Sequence, residues 1–258
     1  MKVSILGAGK MAHQLGAAIR MRGHRIVELY NRSADAGRSL AAILDAEYVD
    51  NLADLDQAVD LLIIAVSDDA IEVVARLLNV ESWVDTIVVH TSGSIGSAML
   101  SRFNRYGSFY PFQSMTIGQK VDFEEVPILI NASSDDGTKV LENLAYELSS
   151  KVYKITDDQR GQIHLAGVFC NNFTNHMLTL AKDLLDTNGL QFDIVKPLIA
   201  NTLSKVTEIN PIDAQTGPAL RNDQDVIDLH IQKLSGDPRT QKIYKLLTES
   251  IQNRHQVD

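Results

Sequence analysis

Short apolar runs, separated by stretches with helical spacing, pattern the first half of the chain. VSIL (3–6) precedes a helix predicted over Lys10–Met21, and RIVELY (25–30) precedes ADAGRSLAAIL. LLIIAV (61–66) precedes DDAIEVVARLL, and TIVVHT (86–91) follows Trp83. The runs are β-branched and apolar on both faces, as buried parallel strands are. The series continues through GSFYPFQSM (107–115), VPILINA (126–132), a helix in KVLENLAYELSS, and KVYKI (151–155). Such alternation predicts an α/β fold, a doubly wound Rossmann-type sheet with helices on both faces. From Asp157 the pattern becomes helical and strand-poor, over 157–187, 193–209 and 219–253 with a break at SGDP (235–238). Thr156 or Asp157 is the expected N-cap of the first helix. The change of pattern predicts an α/β domain over 1–156 and an all-α domain over 157–258.

Composition narrows the partners. The chain has 258 residues, 45% of them hydrophobic and 22% charged, which is ordinary globular composition. A formal net charge of −9 without a long Lys/Arg run argues against nucleic acid. A nucleotide cofactor remains compatible, since its phosphates need only local cations and backbone N–H groups. One cysteine excludes an internal disulfide. The opening MKVSILGAGK is interrupted by glycine too early for a signal peptide, and no apolar run reaches the roughly 18 residues of a membrane span. A cytoplasmic, soluble protein with no membrane partner is expected.

GAGKMA (7–12) sits between a predicted strand and a predicted helix and is spaced G-x-G-x-x-A. Gly7 permits the tight turn, Gly9 lets backbone approach a pyrophosphate, and Ala12 allows close helix–strand packing. The helix start offers open N–H groups and partial positive charge to the phosphates. Alternatives are a nucleotide-free fold of this type or one that binds S-adenosylmethionine. The second strand ends in YNRS, where an NAD site usually carries Asp or Glu. Asn31, Arg32 and Ser33 stand there instead and suit a 2′-phosphate, so NADP is expected over NAD. In VSDDAI (66–71), Val66 and Ser67 are candidate cofactor contacts, and Asp68 is expected to cap the next helix. His90 and Ser92 of HTSGS (90–94) end a strand where ligands gather. They face either a nicotinamide or a substrate carbonyl, or His90 is a satisfied strand-end histidine. No G-x-S-x-G nucleophile elbow is present.

HLAGVFCNNFTNH (164–176) reads as a buried helix with many polar residues threaded through it. His164, Cys170 and His176 are each six residues apart, and six α-helical steps rotate by about 240°. They diverge around the helix, which argues against a metal site, and there is no H-E-x-x-H. His164, Asn171 and Asn175, seven and four apart, fall within about 40°. Asn172 and His176 form an adjacent i, i+4 pair. The stripe lines a wet cleft or hydrogen-bonds to a neighbouring domain or subunit.

Taken together, GAGKMA, NRS, AVSDDAI, HTSG, YPFQSM, HLAGVFCNNFTNH and TGPALRND resemble, in order and spacing, one family. It comprises NADP oxidoreductases that join a Rossmann-like N-terminal domain to a C-terminal domain of unknown function. That family is related to the pyrroline-5-carboxylate reductases and, more distantly, to ketopantoate reductases and β-hydroxyacid dehydrogenases. The resemblance spans essentially the whole chain. It implies a helical C-terminal domain like that of 6-phosphogluconate dehydrogenase, a homodimer formed through it, and a small-molecule substrate in the interdomain cleft. It puts the cofactor phosphates at Gly7, Ala8, Gly9, Lys10 and Met11, and the catalytic pattern at His164 and Asn172. In the dehydrogenase relatives a lysine lies four residues before the asparagine. Here that position is Val168, which cannot donate a proton. Carbonyl reduction would then require His164 as the acid, with an ordinary imidazole pKa suited to neutral pH. An iminium substrate would require no strong acid. Asn175 is a further candidate substrate ligand. TGP (216–218) resembles a substrate-adjacent segment of the pyrroline-5-carboxylate reductases, so Arg221 either holds a substrate carboxylate or sits exposed at a helix start. The reading from another class is a non-catalytic NADP-binding sensor that dimerises through its helices. A methyltransferase is disfavoured by the NRS strand end.

Overall fold

A computed structural model describes residues 1–255. By its contacts the chain divides into two compact units, Met1–Asn171 and a second from Asn172 onward. The first unit carries the sheet. Strands β1 (Lys2–Leu6), β2 (Arg25–Tyr30), β3 (Glu47–Val49), β4 (Leu61–Ile64), β5 (Ile87–His90), β6 (Tyr106–Pro111), β7 (Ile128–Ala132) and β8 (Val152–Lys154) form one sheet of order β3-β2-β1-β4-β5-β6-β7-β8. Helices α1 (Lys10–Met21), α2 (Ala34–Leu44), α3 (Asp68–Leu77) and α4 (Asp135–Leu148) connect them.

Alternation builds the two faces. Leu61 and Ile63 of β4 join the cluster that holds Leu15, Leu40 and Leu144, whereas Leu62 and Ile64 join the cluster around Ile71 and Trp83. All four β4 side chains are buried, which is why the run is apolar at every position. The fold is the doubly wound Rossmann type expected, with two differences. β3 pairs with β2 through only three residues, Glu28↔Glu47 to Tyr30↔Val49, too short a run to show as a pattern. β7 runs antiparallel to β6, pairing Gly107 with Ala132 and Pro111 with Ile128, and β8 is parallel to β7. Periodicity reports which residues are buried and carries no strand direction, so the antiparallel β7 is not read from the pattern.

Beyond the sheet every element is helical: α5 (Asp157–Gly167), a π-helical turn (Val168–Phe173), α6 (Thr174–Thr187), α7 (Lys196–Glu208), α8 (Gln224–Lys233) and α9 (Pro238–His255). Thr156 caps α5, accepting from the Gln159 N–H at 3.2 Å, while the Gln159 side chain accepts from the Thr156 N–H at 2.9 Å. This reciprocal box is what halts β8 and starts the helix. The helix expected to run unbroken over 157–187 is interrupted by the π-helical turn. The helix expected from 219 begins at Gln224, because Asn222 takes a positive φ and Asp223 is the N-cap.

Within the second unit, α6, α7 and α9 bury no residue, and Ile194, Leu198 and Leu246 are more than half exposed. The core-like residues of HLAGVFCNNFTNH are likewise open, Phe169 at 61% and Phe173 at 49%, so the expectation of a buried helix is not met within one chain. No helix of the described residues is long and apolar enough to cross a membrane. Removing the α5 cap by Thr156→Ala is expected to lower stability by about 1 kcal/mol, read as a lower urea midpoint at unchanged slope.

Candidate active site

The parallel strands β1, β4, β5 and β6 bring their carboxyl ends to one edge of the sheet. Two groups of candidate residues lie along it. The first is the glycine loop. Gly7 has φ +114°, and a Cβ there would come within 2.3 Å of the Ala65 carbonyl oxygen, so packing and backbone both demand glycine. Gly9 differs. Its φ of −82° suits any residue, and a Cβ there would meet nothing within 4 Å. The protein itself gives no reason for glycine at position 9. A bare backbone between a strand and a helix is the form of a pyrophosphate-binding turn. Gly9 caps α1 without a side-chain hydrogen bond, and the first turn, with exposed Lys10 and half-buried Met11, holds no acidic residue.

Asn31 ties this loop to the end of β2. Its Oδ1 accepts from the Ala8 N–H at 3.0 Å, and its Nδ2 donates to the Ser33 carbonyl at 2.8 Å. The Ala8 N–H is thereby engaged, which leaves the later N–H groups of the loop for an anion. Arg32 and Ser33 are exposed beside it, and the Ser33 hydroxyl makes no cap bond to α2. Val66 lies near Gly7, its Cγ1 3.2 Å from the position of an added Cβ. The N-cap of α3 is Ser67, and Asp68 sits inside the first turn, which corrects the capping role expected of Asp68. The helix starts one residue earlier than that role requires. The Asp69 carboxyl is held below its usual range, first by a hydrogen bond from Ser67 and also by the charge of Arg32.

The second group surrounds the ends of β5 and β6. His90 is fully buried, and its Nδ1 accepts from the Ser92 N–H at 3.2 Å, which puts the proton on Nε2. Burial, then the nearby Arg160 guanidinium, pull its pKa from 6.5 down to about 4, so the ring is neutral. Ser92 Oγ is turned into its own loop, where it accepts from the N–H groups of Ser94 and Ile95. His164, one helical turn beyond Arg160, approaches from α5. Its Nδ1 lies 3.1 Å from the Tyr110 hydroxyl, and a Cβ on Gly93 would fall 2.4 Å from that nitrogen. Gly167 approaches Phe112 as closely, with an added Cβ 2.7 Å from its ring.

Two residues of this group were missed by motif reading. Arg160 is 1% exposed, and its Nη1 donates to Ser108 Oγ at 2.6 Å and to Asp157 Oδ1 at 2.7 Å, while its Nη2 donates to the Ile95 carbonyl. Asp157 Oδ2 in turn accepts from the Ser97 N–H and hydroxyl, and Asn131 donates to Oδ1. Partial burial pushes the Asp157 carboxyl up, but the bonds from Arg160 and Ser97 outweigh it and hold the pKa low. In the sequence, DDQR looks like a solvated helix start. Tyr110 lies in the YPFQSM motif, but only its contact with His164 marks it.

The remaining candidates belong to the second unit. Asn172 lies in the π-helical turn, and i→i+5 bonding changes the rotation per residue there, so the 40° stripe of His164, Asn171 and Asn175 derived for an α-helix does not hold. The Asn175 side chain is exposed, and its backbone carbonyl accepts from Thr179. Arg221 is exposed, precedes α8 and lies 4.0 Å from the Asp223 carboxylate. Among the described residues no three His, Cys, Asp or Glu side chains group as metal ligands would.

Comparison with known proteins agrees with this architecture. Residues 1–112 match a Rossmann-like domain, and residues 126–251 match a domain of unknown function, DUF2520. A candidate NADP oxidoreductase from Bacteroides fragilis is 38% identical, with 98% of each chain covered and a TM-score of 0.88. The chain belongs to this family, in which a Rossmann-like domain is joined to DUF2520. A 1-pyrroline-5-carboxylate reductase from Streptococcus pyogenes aligns over 98% of both chains at 15% identity and a TM-score of 0.66. A reductive aminase from Aspergillus terreus, in complex with NADPH and ethyl-5-oxohexanoate, aligns over 98% of this chain and 92% of its own at 18% identity and a TM-score of 0.73. These two share the fold. No curated protein matches the chain.

His90 makes the site unit sensitive to acid. The unfolded chain takes up a proton near the ordinary histidine pKa of 6.5, whereas folded His90 does so only near 4. Its contribution is therefore complete above pH 6.5 and is lost as pH falls toward 4, by up to roughly 3 kcal/mol. Urea midpoints measured at pH 7.5 and 4.5 are expected to differ less in His90→Gln than in the wild type.

Proposed function

We propose that the protein is an NADPH-dependent oxidoreductase that reduces a small carbonyl or imine compound at the carboxyl edge of its sheet. The observation that carries the cofactor assignment is Gly9, a glycine required by neither backbone nor neighbours on a loop shaped for a pyrophosphate. The N–H groups of Gly9, Lys10 and Met11 would hold the phosphates, Arg32 and Ser33 the 2′-phosphate, and Val66 and Ser67 would flank the cofactor. Membership of a family that includes a candidate NADP oxidoreductase supports the same assignment. Bound there, NADPH supplies a hydride.

The chain's own residues then have distinct tasks. Asn31 braces the phosphate loop against β2 rather than facing the ligand. Neutral His90 and Ser92 form the floor beside it. His164 is the residue of the sheet unit with the chemistry to supply a proton at neutral pH. Asn172, Asn175 and Arg221 remain candidate substrate ligands on their chemistry, amides that donate and accept and a guanidinium that can clamp a carboxylate. The exposed leucines and isoleucines of the helical unit are an apolar surface that a second copy of the chain would bury, so a homodimer belongs to the proposal.

Fluorescence titration with NADPH and NADH tests the cofactor assignment. Arg32→Ala is expected to weaken NADPH by about tenfold or more and leave NADH unchanged, the scale of one lost charge-assisted contact. Gly9→Ala should keep the wild-type melting temperature and lose both cofactors, whereas Gly7→Ala should also unfold at lower temperature. Wild-type NADPH affinity in both Arg32→Ala and Gly9→Ala would refute the assignment. Sedimentation at micromolar concentration should report a dimer.

A further inference from the structure

Val168 stands where a proton-donating lysine would serve related enzymes, and the structure offers a donor from a different element. We propose that Tyr110 gives the proton to the substrate and that His164 reloads it. This rests on the reductase reading and deepens it. Tyr110 is the penultimate residue of β6, at the carboxyl edge of the sheet, and its hydroxyl lies 3.1 Å from His164 Nδ1. Both side chains are half-buried, so each has one side in contact with the protein and one side open.

The surroundings are shaped around the pair. Gly93 leaves room for both rings, since a Cβ there would come within 2.4 Å of His164 Nδ1 and 2.9 Å of Tyr110 Cζ. Phe112 packs edge-on to Tyr110 at 6.1 Å and seats against Gly167, which fixes the last turn of α5. The first turn of α5 is fixed by Arg160 and Asp157. The phenol is neutral at working pH, because burial and then the Asp68 carboxylate raise its pKa while Arg160 only partly opposes them. It is thus a donor, and Asp68 on α3 and Arg160 on α5 are the charged groups that set its field.

The balance is simple. Tyr110 would give its O–H proton to the carbonyl oxygen of a substrate whose carbon takes the hydride that bound NADPH would supply, giving an alcohol. The phenolate takes the His164 Nδ1 proton, and His164 regains a proton from solvent. A built proton path matters for a carbonyl, whose oxygen must be protonated, and is superfluous for an iminium. The relay therefore assigns the substrate to the carbonyl class.

Two measurements on the full chain test the relay. In protein labelled with 13C at tyrosine Cζ, the Tyr110 signal, identified by its loss in Tyr110→Phe, should show a pH inflection below the phenol's own ionisation that His164→Gln abolishes. An inflection in that lower range that survives His164→Gln, or its absence there from the wild type, overturns the relay without reference to turnover. The second follows NADPH affinity by fluorescence, and NADPH oxidation with pentane-2,3-dione as carbonyl probe and 1-pyrroline as imine probe. Tyr110→Phe, which keeps the ring packing, should bind NADPH as the wild type does and lose about 100-fold in kcat on the diketone with little change in KM. His164→Gln should lose less and flatten the pH profile. Diketone turnover by Tyr110→Phe within threefold of wild type, or turnover of 1-pyrroline alone, overturns the relay and leaves the reductase reading standing. Failure of the wild type to bind NADPH overturns both.

Discussion

The buried ion pair between Arg160 and Asp157 is the constraint on which the site depends. A guanidinium at 1% exposure is expensive unless its charge and its donors are met. Here a helix, a strand and a loop meet them together: Asp157 from the same turn of α5, Ser108 from β6, and the Ile95 carbonyl from the loop after β5. Such a pair adds little net stability over an apolar filling of equal volume, yet it admits very few geometries. What it secures is position. With the first turn of α5 held against β6, His164 arrives one turn later beside Tyr110, and Gly93 must be glycine for that approach to close. The same guanidinium adds to burial in keeping His90 neutral.

The two halves of the edge are prepared differently. At the glycine loop the preparation is backbone: an open α1 start, a tight turn at Gly7, and Asn31 joining the loop to β2 so that the cradle is formed without a ligand. At β5 and β6 the preparation is side-chain: Ser92 folds its own loop, and Tyr110 and His164 hold one another. A phosphate cradle needs fixed dipoles, which backbone supplies without titrating. A proton path needs groups that exchange protons, which only side chains supply. Spacing along a sheet of parallel neighbours keeps the two environments apart.

Much of this was legible in the sequence. Helices α1 and α2 begin and end where the pattern put them, and the Gly7–Gly9 loop and the Thr156 cap follow from residue chemistry alone. The direction of β7, the brief β3 and the Ser67 cap were not legible, because hydrophobic period encodes burial and neither strand polarity nor one-residue offsets. The π-helical turn was hidden for a related reason. A wheel drawn at a constant rotation assumes the hydrogen bonding it is meant to reveal, and VFCNNF contains no proline or glycine to warn of a change. Arg160 and Tyr110 escaped because each looks ordinary locally. An i, i+3 Asp–Arg pair usually lies in solvent, and a tyrosine in an alternating strand usually serves packing.

That last pair of omissions bears on the missing lysine. On the helix, Val168 stands four residues before Asn172 and cannot donate a proton. A donor on β6 instead sits on a strand that pairs with β5 as far as Ser108 and, at Tyr110 itself, with Leu129 of β7. In the proposed relay the helix supplies only the reservoir, His164, through its contact with the phenol. Splitting delivery from storage also relaxes the demand on acidity. In the proposed relay the group that meets the substrate can have a high pKa and stay protonated, while a second group exchanges protons with solvent, and no proton transfer is asked of position 168.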